Sequence, residues 1–338
     1  MVFSQIILRP FYALAIRILG IIRERRETVF YCHTPVDMQN WLPVQRHLKP
    51  IRIVTDKAAT YRYLKDAGYA PGKLPAFPKA VIMCRVAAHK FPSRKVMKIG
   101  MTHGAYHFKR FSSAKHFTPF SLYLFTSERD LQNAIQAGIR CGKVGGFPKL
   151  DPYMPVAHQD NPTGSKPRLL FTATYDKSGM SAISLWIDRL PELTADYEIS
   201  VSVHPWMNPD YIARLKAMPE IHFITDNPLP YIHNADICIV DRSSIIAECC
   251  AFDKSMISWS IPPSARSLKH IDDIIREISV QVESFDELRL AIQALLADPH
   301  KHAAARQKAK SIFFDTLDGQ AGLRSANEII KLIPELRL

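Results

Sequence analysis

Residues capable of proton transfer and anion binding follow several apolar, strand-like runs of this 338-residue chain. His103 and Gly104 follow "KVMKIGMT", His204 follows "EISVSV", and the turn "DRSS" at 241–244 follows "ADICIV". In open α/β sheets, ligands bind outside the carboxyl ends of the strands, so we expect a substrate to meet these residues. Histidine indicates proton transfer, and serine hydroxyls beside backbone N–H groups indicate anion binding.

The turn with paired serines is the most informative of these positions. Ser243 and Ser244 precede the apolar run "IIAECCAF", which predicts a helix that begins at one of the two serines. The first turn of a helix has unpaired backbone N–H groups and the positive end of the helix dipole. The turn is therefore a candidate phosphate cradle. Paired serines are also an ordinary helix cap, so the order of all the motifs along the chain carries more weight than this turn alone.

Strand-like and helix-like patterns alternate along most of the chain. Apolar, β-branched or aromatic runs predict strands at "TVFYCH", "IRIVTD", "AVIMCRV", "KVMKIGMTH", "SLYLFTS", "PRLLFTATYD", "YEISVSVHP", "IHFITD" and "ADICIVD". A helix is predicted over "ERDLQNAIQAG", with Ser127 as its N-cap and Gly138 as its stop. Such alternation indicates parallel sheets and an α/β fold class.

A proline-rich stretch divides the chain into two halves. The segment "PYMPVAHQDNPTGSKP" at 152–167 contains four prolines and has no periodicity, which is typical of a linker. Two open α/β sheets joined in this way indicate two Rossmann-like domains that face each other across a cleft. The first domain is predicted at 27–155, preceded by a basic amphipathic helix at 1–26 that belongs to it. A linker at 156–167 leads to the second domain at 168–310. A C-terminal helix at 311–338 follows, and one possible arrangement is that it crosses back to the first domain.

Composition narrows the classes of partner. The net charge is +12 and the pI about 9.4, which favours anionic partners. The 44 basic residues are spread along the chain and no nucleic-acid-binding module is recognisable, so nucleic acid is not an expected partner. The six cysteines form no CxxC pair and lie mainly in apolar runs, which is typical of reduced core thiols and favours the cytoplasm.

The first 26 residues are apolar and basic. Arg9, Pro10 and Arg17 interrupt the apolar run, so it falls short of the roughly 20 apolar residues that a membrane span needs. Arginines at 23 and 25–26 follow it where a signal peptide would have small residues. The apolar residues near one helical face are Phe11, Leu14, Ile18 and Ile21 or Ile22. Two interpretations stay open: a helix that lies on an anionic membrane surface, or one that packs on its own domain.

Five short motifs occur along the chain in a recognisable order. They are His103–Gly104 with Lys109, "GFPKLD" at 146–151, His204–Pro205, "DICIVDRSSIIAE" at 236–248 and "DGQAGLR" at 318–324. In this order they resemble the CDP-glycerol glycerophosphotransferases of teichoic-acid and capsule synthesis, over roughly residues 95–330. The resemblance implies a GT-B fold, a CDP-polyol donor, and a glycan or lipid-linked acceptor.

The resemblance also implies roles for individual residues. His103 matches a base on the acceptor side and His204 a contact to the donor phosphates, and these two are the predicted catalytic residues. The residues expected at the donor pyrophosphate are Ser243, Ser244, Arg242 and Gly104. Those expected near the donor nucleotide or polyol are Glu248, Asp241 and Thr174. Those expected at the acceptor or in the cleft are Lys109, Lys149, Asp151 and Arg324. No metal and no cofactor are required by this arrangement.

The chain departs from the family pattern at three places. "HGAYHFK" is one residue longer than the family motif between the histidine and the lysine. Tyr175–Asp176 stands where the family has Trp-Arg, and Arg242 stands where it has Tyr. The first change concerns acceptor recognition, and the other two concern the donor.

The predicted function is transfer of a polyol phosphate, glycerol phosphate above all, from a CDP-linked donor to a hydroxyl of a cell-surface glycan or its lipid-linked precursor. The expected location is the cytoplasm, either free or at the inner face of the cytoplasmic membrane. One alternative is a GT-B glycosyltransferase that uses a nucleotide sugar in capsule or lipopolysaccharide synthesis. Another is a membrane-surface binding protein whose cleft has lost its chemistry.

Overall fold

The computed structural model describes residues 10–15, 18, 27–108, 111, 113–156, 164–262 and 267–338. These residues divide into two compact units. The first unit falls within Met1–Tyr106, Phe111–Pro155 and Phe314–Leu338, and the second within His107–Arg110 and Val156–Phe313. Lys109 and residues 157–163 of the predicted linker lie outside the described residues, as does most of the predicted N-terminal helix.

The first unit is built on a parallel sheet. Its strands are β1 (Thr28–Tyr31), β2 (Arg52–Thr55), β3 (Gly72–Lys73), β4 (Ala80–Met83), β5 (Met97–Met101), β6 (Leu122–Phe125) and β7 (Gly142–Val144). Their spatial order is β3-β2-β1-β4-β5-β6-β7. Every residue of β1, β4 and β6 is buried, as expected for strands covered on both faces. The chain order reverses between β1 and β4, which makes their carboxyl ends the switch point of this sheet.

The helices of the first unit cover both faces of its sheet. They are α1 (Val36–Gln45), α2 (Ala58–Asp66) and α3 (Glu128–Gln136), with 3-10 helices at Ala88–Lys90, Ala114–His116, Pro148–Tyr153 and Pro334–Leu336. The predicted N-cap of α3 is confirmed, because the Ser127 hydroxyl accepts a hydrogen bond from the Asp130 N–H at 3.1 Å. Gly138 has a φ of +87°, which suits a residue that ends a helix.

The second unit contains another parallel sheet. Its strands are β8 (Arg168–Ala173), β9 (Glu198–Val203), β10 (His222–Ile224), β11 (Ile237–Val240), β12 (Ser255–Trp259) and β13 (Val280–Val282). The order is β10-β9-β8-β11-β12-β13, so the switch point lies between β8 and β11. Strand β8 pairs with β9 from Arg168 to Ala173 and with β11 from Leu169 to Phe171.

The helices of the second unit alternate with these strands. They are α4 (Ile183–Trp186), α5 (Pro209–Lys216), α6 (Leu229–Asn234), α7 (Ile245–Ala251), α8 (Lys269–Ile278), α9 (Phe285–Ala297) and α10 (Ala303–Phe313), with 3-10 helices at Asp176–Ser178 and Ile187–Leu193. A core that includes Phe171, Trp186 and Leu288 fills one face of the sheet. The α/β class predicted from the sequence is confirmed in both units.

The last helix, α11 (Ala321–Leu332), packs in the first unit. Its residues Ala326, Ile329 and Ile330 join the core formed by β1, β4 and α1. Gly322 lies against the backbone of α1, where an added Cβ would be 2.5 Å from the Pro43 carbonyl oxygen. Only glycine permits this approach, so the "AGLR" part of the last motif has a packing role.

Two further observations concern the predicted surroundings of the protein. Within the described residues, no helix is both long enough and apolar enough to cross a membrane. All six cysteines are free thiols, and five of them are buried. Burial raises the pKa of the Cys84 thiol, so it stays protonated and behaves as a core residue.

Candidate functional site

The carboxyl edge of the second sheet brings together residues that are far apart in sequence. Thr174 follows β8, His204 follows β9 and Asp241 follows β11. All these strands are parallel neighbours, so their following residues lie at one edge of the sheet. The edge includes the switch point between β8 and β11, where open α/β sheets bind ligands.

Asp241 fixes the two loops at this switch point to each other. Its side chain is 1% exposed, and Oδ2 accepts hydrogen bonds from the Thr174 N–H at 2.7 Å and the Ala182 N–H at 3.4 Å. A buried carboxylate needs such donors, because an unpaired charge in the core is costly. Asp241 therefore holds the backbone of the site, and a direct contact of Asp241 or Thr174 with the donor stays a prediction.

The serine turn differs from an ordinary helix cap. Helix α7 begins at Ile245, and Ser244 is its N-cap residue without a capping hydrogen bond from its side chain. The Ser243 hydroxyl instead accepts a hydrogen bond from the Ile245 N–H at 3.3 Å. Both serines are half-buried. The backbone N–H groups of Ser243, Ile246 and Ala247 also donate to carbonyls of the turn. The expectation of a row of unpaired N–H groups is therefore wrong for these residues, because the tight turn uses their N–H groups itself. The Ser244 hydroxyl is not used to cap α7.

The ring of His204 is oriented by its own loop. Its Nδ1 accepts a hydrogen bond from the Trp206 N–H at 3.1 Å, and its backbone N–H donates to the Ala173 carbonyl at 2.9 Å. Because Nδ1 is an acceptor, the proton of the neutral ring is on Nε2. His204 therefore presents an N–H donor at the carboxyl edge of the sheet, which suits a contact to phosphate oxygens.

An exposed tryptophan beside His204 was not predicted from the sequence. Trp206 is 59% exposed, and its ring lies 5.4 Å from that of His204 and 6.1 Å from that of Tyr175. A large exposed ring at a ligand-binding edge can stack on a base or pack against a polyol. The sequence signal was the tryptophan immediately after the His-Pro pair.

The acid that replaces a basic residue of the family pattern also lies at this edge. The Asp176 carboxylate accepts a hydrogen bond from the Asn208 N–H at 3.1 Å. This contact ties the loop after β8 to the loop after β9. Asp176 thereby supports the loop that contains Trp206 and His204.

A cavity of about 520 Å³ adjoins the serine turn on the side of β12 and β13. Its polar lining consists of Asp241, Arg242, Ser258, Ser260, Asp272 and Gln281 among others. The guanidinium of Arg242 donates to the Asp272 carboxylate at 2.7 Å, so its charge is largely balanced within the unit. The volume lies within the range of about 300 to 1,000 Å³ that is typical of small-molecule sites. A role of Arg242 at the pyrophosphate stays a prediction.

Glu248 lies on α7 and is 6% exposed. Its side chain therefore belongs to the buried surroundings of the helix, and its contact with the donor stays a prediction.

In the first unit, His103 and Gly104 follow β5 at the carboxyl edge of the sheet. His103 is exposed, and its carbonyl accepts a hydrogen bond from the Asn40 side chain at 3.4 Å. Asn40 is fully buried on α1, so this helix positions the backbone of His103. The exposed ring is accessible to a substrate, as a general base must be.

The "GFPKLD" motif contacts the C-terminal helix. The Asp151 carboxylate accepts hydrogen bonds from the Ala321 N–H at 3.1 Å and the Gly322 N–H at 2.6 Å, and it thereby caps α11. Burial raises the pKa of Asp151, and these two N–H donors oppose the rise. Lys149, in the same 3-10 helix, is 7% exposed. Arg324 pairs with Asp318 at 2.8 Å. Contacts of these residues with an acceptor stay predictions.

A second polar cluster, which the sequence analysis did not identify, lies at the switch point of the first sheet. It includes His33 after β1, Arg85 after β4, and Asp37 on α1. Burial and the positive charge of Arg85 lower the pKa of His33, so its ring is neutral at neutral pH. The sequence signal was the pair of polar segments "HTPVD" and "R" that follow two buried strands.

Comparisons with known proteins show the fold of the chain. No protein-family model matches the sequence, and no curated protein matches it. A solved structure of the wall teichoic acid polymerase TagF is similar, with a TM-score of 0.68 and 13% identity over 92% of this chain and 90% of that one. That structure is a histidine-to-asparagine variant soaked with CDPG.

Two other solved structures have the same architecture. A co-structure of S. aureus MnaA with UDP gives a TM-score of 0.63 at 12% identity and covers 92% of this chain and 98% of that one. A glycosyltransferase from Rickettsia africae gives 0.52 at 14% identity and covers 92% and 99%. The chain has the GT-B fold. At these identities the likeness concerns the fold and leaves activity to be argued from the site.

Proposed function

We propose that this chain is a GT-B transferase that moves a polyol phosphate, glycerol phosphate above all, from a CDP-linked donor to a hydroxyl of a cell-surface glycan or lipid-linked precursor. The observation that carries the proposal is the arrangement at the carboxyl edge of the second sheet. There a buried hydrogen bond joins Asp241 to the loop after β8, the Trp206 N–H orients the ring of His204, and a cavity of about 520 Å³ adjoins the serine turn.

The second unit supplies the groups that bind a nucleoside diphosphate. The hydroxyls of Ser243 and Ser244, together with the Nε2–H of His204, donate to the pyrophosphate oxygens. The adjoining cavity, which is lined by Ser258 and Gln281 among others, accepts the nucleoside. Because these groups are fixed before the donor binds, they stabilise charge without reorganising.

The transfer step forms one P–O bond and breaks another. The acceptor oxygen attacks the phosphorus that carries glycerol, and the bond from this phosphorus to the bridging oxygen of CMP breaks. His103 accepts the proton of the acceptor hydroxyl, and CMP leaves with the electron pair of the broken bond. His204 and the serine turn donate hydrogen bonds to the negative charge that develops on CMP.

A donor screen tests the proposal. Purified full-length protein is incubated with CDP-glycerol, CDP-ribitol, or UDP- and GDP-sugars, together with a lipid-linked glycan acceptor that ends in glycerol phosphate. We expect release of CMP and growth of the acceptor by one glycerol phosphate unit, with loss of both in His103→Ala. Turnover of nucleotide sugars without transfer of a polyol phosphate would overturn the proposal. Nucleotide binding without turnover of any donor would favour a binding protein.

A glycosyltransferase that uses a nucleotide sugar is the second candidate. The observation that favours it is Trp206, which is exposed at the donor edge and which provides an apolar surface suited to the face of a sugar ring. The two candidates make opposite predictions in the donor screen. They also differ in their products, because sugar transfer releases a nucleoside diphosphate from UDP- and GDP-sugars, whereas polyol-phosphate transfer releases CMP.

We propose further that an anionic membrane surface is the site of action. In the helical segment 10–15, the Tyr12 hydroxyl donates to the Ala76 carbonyl, and the Tyr12 ring lies 4.7 Å from that of Phe77. Phe11, Leu14 and Ile18 are 68%, 56% and 49% exposed. Exposed apolar residues in a segment rich in arginine suit the interface of anionic lipid.

Vesicle sedimentation tests this part of the proposal. Replacement of Phe11, Leu14 and Ile18 by Ser should weaken binding to vesicles of phosphatidylglycerol and phosphatidylcholine by about 10-fold, because it removes apolar area from the interface. The control variant replaces Leu185 and Leu290, which are exposed on the second unit, by Ser as well. Equal sedimentation of the two variants would contradict the assignment.

A further inference from the structure

The switch point of the first sheet carries a network of polar side chains outside the site proposed for the donor. Strands β1, β2 and β4 end here, and the network is formed by residues at or just after their carboxyl ends, by Asp37 of α1 and by Lys90 of the 3-10 helix Ala88–Lys90. Its members are Tyr31, His33, Thr34, Asp37, Asp56, Arg85 and Lys90. The position is one at which open α/β sheets bind ligands.

The hydrogen bonds determine which nitrogen of His33 carries the proton. The Tyr31 hydroxyl donates its single hydrogen to the Asp56 carboxylate at 2.6 Å, since an ionised carboxylate only accepts. The same hydroxyl lies 3.0 Å from Nδ1 of His33. Nδ1 must therefore be the donor in this second bond. The neutral ring of His33 then has its lone pair on Nε2, which is an acceptor.

The charge states of the network agree with this assignment. The pKa of Asp56 is lowered: burial raises it, but hydrogen bonds from Lys90 and Tyr31 outweigh that effect. Burial and the carboxylate of Asp56 raise the pKa of the Tyr31 hydroxyl, so it remains a donor. The ionised carboxylate of Asp56 thus orients the hydroxyl of Tyr31, and this hydroxyl in turn orients the ring of His33.

The backbone of His33 is held as firmly as its ring. Its N–H donates to the Asp37 carboxylate at 2.8 Å, and its carbonyl accepts from the Thr60 hydroxyl at 3.0 Å. The ring is half-buried, so it is accessible at the edge of the sheet. A side chain fixed in this way is preorganised for binding, since little entropy is lost when a ligand contacts it.

Arg85 supplies a positioned cation beside His33. Its Nε donates to the Asp37 carboxylate at 3.2 Å, and its terminal nitrogen donates to the Thr34 hydroxyl at 2.9 Å. Asp37 is fully buried, whereas the side chain of Arg85 retains 22% of its exposure. The buried carboxylate therefore orients the guanidinium while part of that group stays accessible, and a guanidinium is well suited to phosphate.

The sum of formal charges in this cluster is positive. The charges within the ion pairs Arg85–Asp37 and Lys90–Asp56 balance each other, and the neighbouring Lys57, whose charge acts on both His33 and Asp56, brings the sum to +1 when His33 is neutral. An anion is favoured here. A ligand that matches both Arg85 and the acceptor on His33 carries a phosphate group and a hydroxyl.

We propose that this cluster binds the terminal polyol phosphate of the acceptor, with Arg85 donating to its phosphate and Nε2 of His33 accepting a hydrogen bond from one of its hydroxyls. The assignment of the ligand as the acceptor rests on the function proposed above. The binding of a polyol phosphate to the cluster can be measured without catalysis. His33 is a binding residue in this scheme, and the attacking hydroxyl is deprotonated at His103.

The geometry of α1 connects the cluster to His103 within the same unit. Asp37 and Asn40 are three residues apart on this helix, so they lie near each other on its surface. Asp37 contacts His33 and Arg85, whereas Asn40 contacts the carbonyl of His103. One helix therefore positions both the proposed hydroxyl acceptor and the proposed base.

Equilibrium binding of sn-glycerol 3-phosphate to the full-length protein is the first test. Inorganic phosphate and glycerol serve as probes for the two halves of the ligand. We expect glycerol phosphate to bind more tightly than either half, and we expect Arg85→Gln and His33→Phe to weaken its binding by about 10-fold, since each removes a hydrogen bond to the ligand and Arg85→Gln also removes a charge. Equal binding by wild type and variants, or equal binding of phosphate and glycerol phosphate, would overturn the proposal.

Matched controls come from the opposite edge of the same sheet. Arg94 is exposed and precedes β5, so Arg94→Gln makes the same change of charge away from the cluster. His47 is half-buried and precedes β2, so His47→Phe is the control for His33→Phe. Both controls should bind as wild type does. Thermal unfolding of each variant identifies loss of the fold. Tyr31→Phe provides a second variant, which keeps the imidazole of His33 but removes the hydroxyl that orients it.

Steady-state kinetics separate this proposal from the function on which it rests. With an acceptor that ends in glycerol phosphate, Arg85→Gln and His33→Phe should raise the acceptor KM by about 10-fold and leave the donor KM within about 2-fold. An unchanged acceptor KM in an active enzyme would overturn the acceptor site alone. A wild-type protein that binds glycerol phosphate at this cluster but turns over no donor would overturn only the proposed function.

Discussion

The carboxyl edges of the two sheets are organised around a buried aspartate, but the two aspartates have different partners. In the second unit, Asp241 binds the backbone N–H groups of Thr174 and Ala182. In the first unit, Asp37 binds two backbone N–H groups and also the guanidinium of Arg85. Beside these aspartates, one edge offers serine hydroxyls, the imidazole of His204 and aromatic rings, whereas the other offers an oriented cation and a fixed imidazole.

Under the two proposals made above, one topology serves two kinds of ligand. A pyrophosphate spreads its charge over several oxygens and is well matched by several hydroxyl and imidazole donors. A single phosphate beside a hydroxyl is better matched by one guanidinium and one acceptor. The strand order puts a switch point in each sheet, and the residues that follow the strands differ between the two.

The largest expected effect comes from removing the two aspartates. Asp37→Ala should lower the free energy of unfolding by about 3 kcal/mol, because it leaves Arg85 without its buried partner. Asp241→Ala should lower it by about 2 kcal/mol, because it leaves neutral N–H groups without an acceptor. Urea unfolding of the full chain measures both. A smaller loss for Asp37→Ala than for Asp241→Ala would mean that the Arg85 pair is not what distinguishes the two edges.

Removing both hydroxyls of the serine turn should be the next largest effect. Ser243→Ala with Ser244→Ala should lower kcat/KM for the donor by about 100-fold, since hydrogen bonds to developing charge are lost. The control replaces Ser165 and Ser311, which are exposed in the second unit. Acceptor KM should not change. A rise in acceptor KM equal to the loss for the donor would contradict the separation of the two edges.

Trp206 tests whether the aromatic surface belongs to the donor edge. Trp206→Ala should raise the donor KM by about 10-fold through loss of stacking or apolar contact. Trp206→Phe should retain most of the affinity, and Leu290→Ala, at another exposed apolar position, should leave it unchanged. The loss of affinity that Trp206→Ala causes is then compared for CDP-glycerol and for CDP. This comparison shows whether the ring contacts the nucleotide or the polyol.

The smallest expected effect is a pH dependence confined to the first unit. The pKa of His33 is lowered by burial and by Arg85 and Lys57, against the opposing charges of Asp37 and Asp56. The neutral ring therefore predominates above the ordinary histidine pKa of about 6.5. The ratio of glycerol phosphate affinities of wild type and His33→Phe should be constant from pH 8 to about 6.5 and should fall several-fold below that. A ratio that falls already above neutral pH would contradict a lowered pKa.

Much of the fold could be predicted from the sequence. Apolar, β-branched runs gave β1, β2, β4, β5, β6 and β8 to β11 because buried strands are rich in such residues. The strands that were not predicted are β3, β7, β12 and β13. β3, β7 and β13 are at most three residues long. Such segments are defined by pairing with a neighbour and have too few residues for a periodic pattern.

Polar residues stand out after apolar runs, and the order of residues was therefore enough to find His103, His204 and the serine turn. The hydrogen-bond partners within each unit became known only from the folded chain. The bond from the Thr174 N–H to Asp241 joins residues 67 apart, and that from Arg85 to Asp37 joins residues 48 apart. Such partners are hidden in the sequence because the order of strands in a sheet depends on pairing between distant segments, and that order selects the partners of each buried carboxylate.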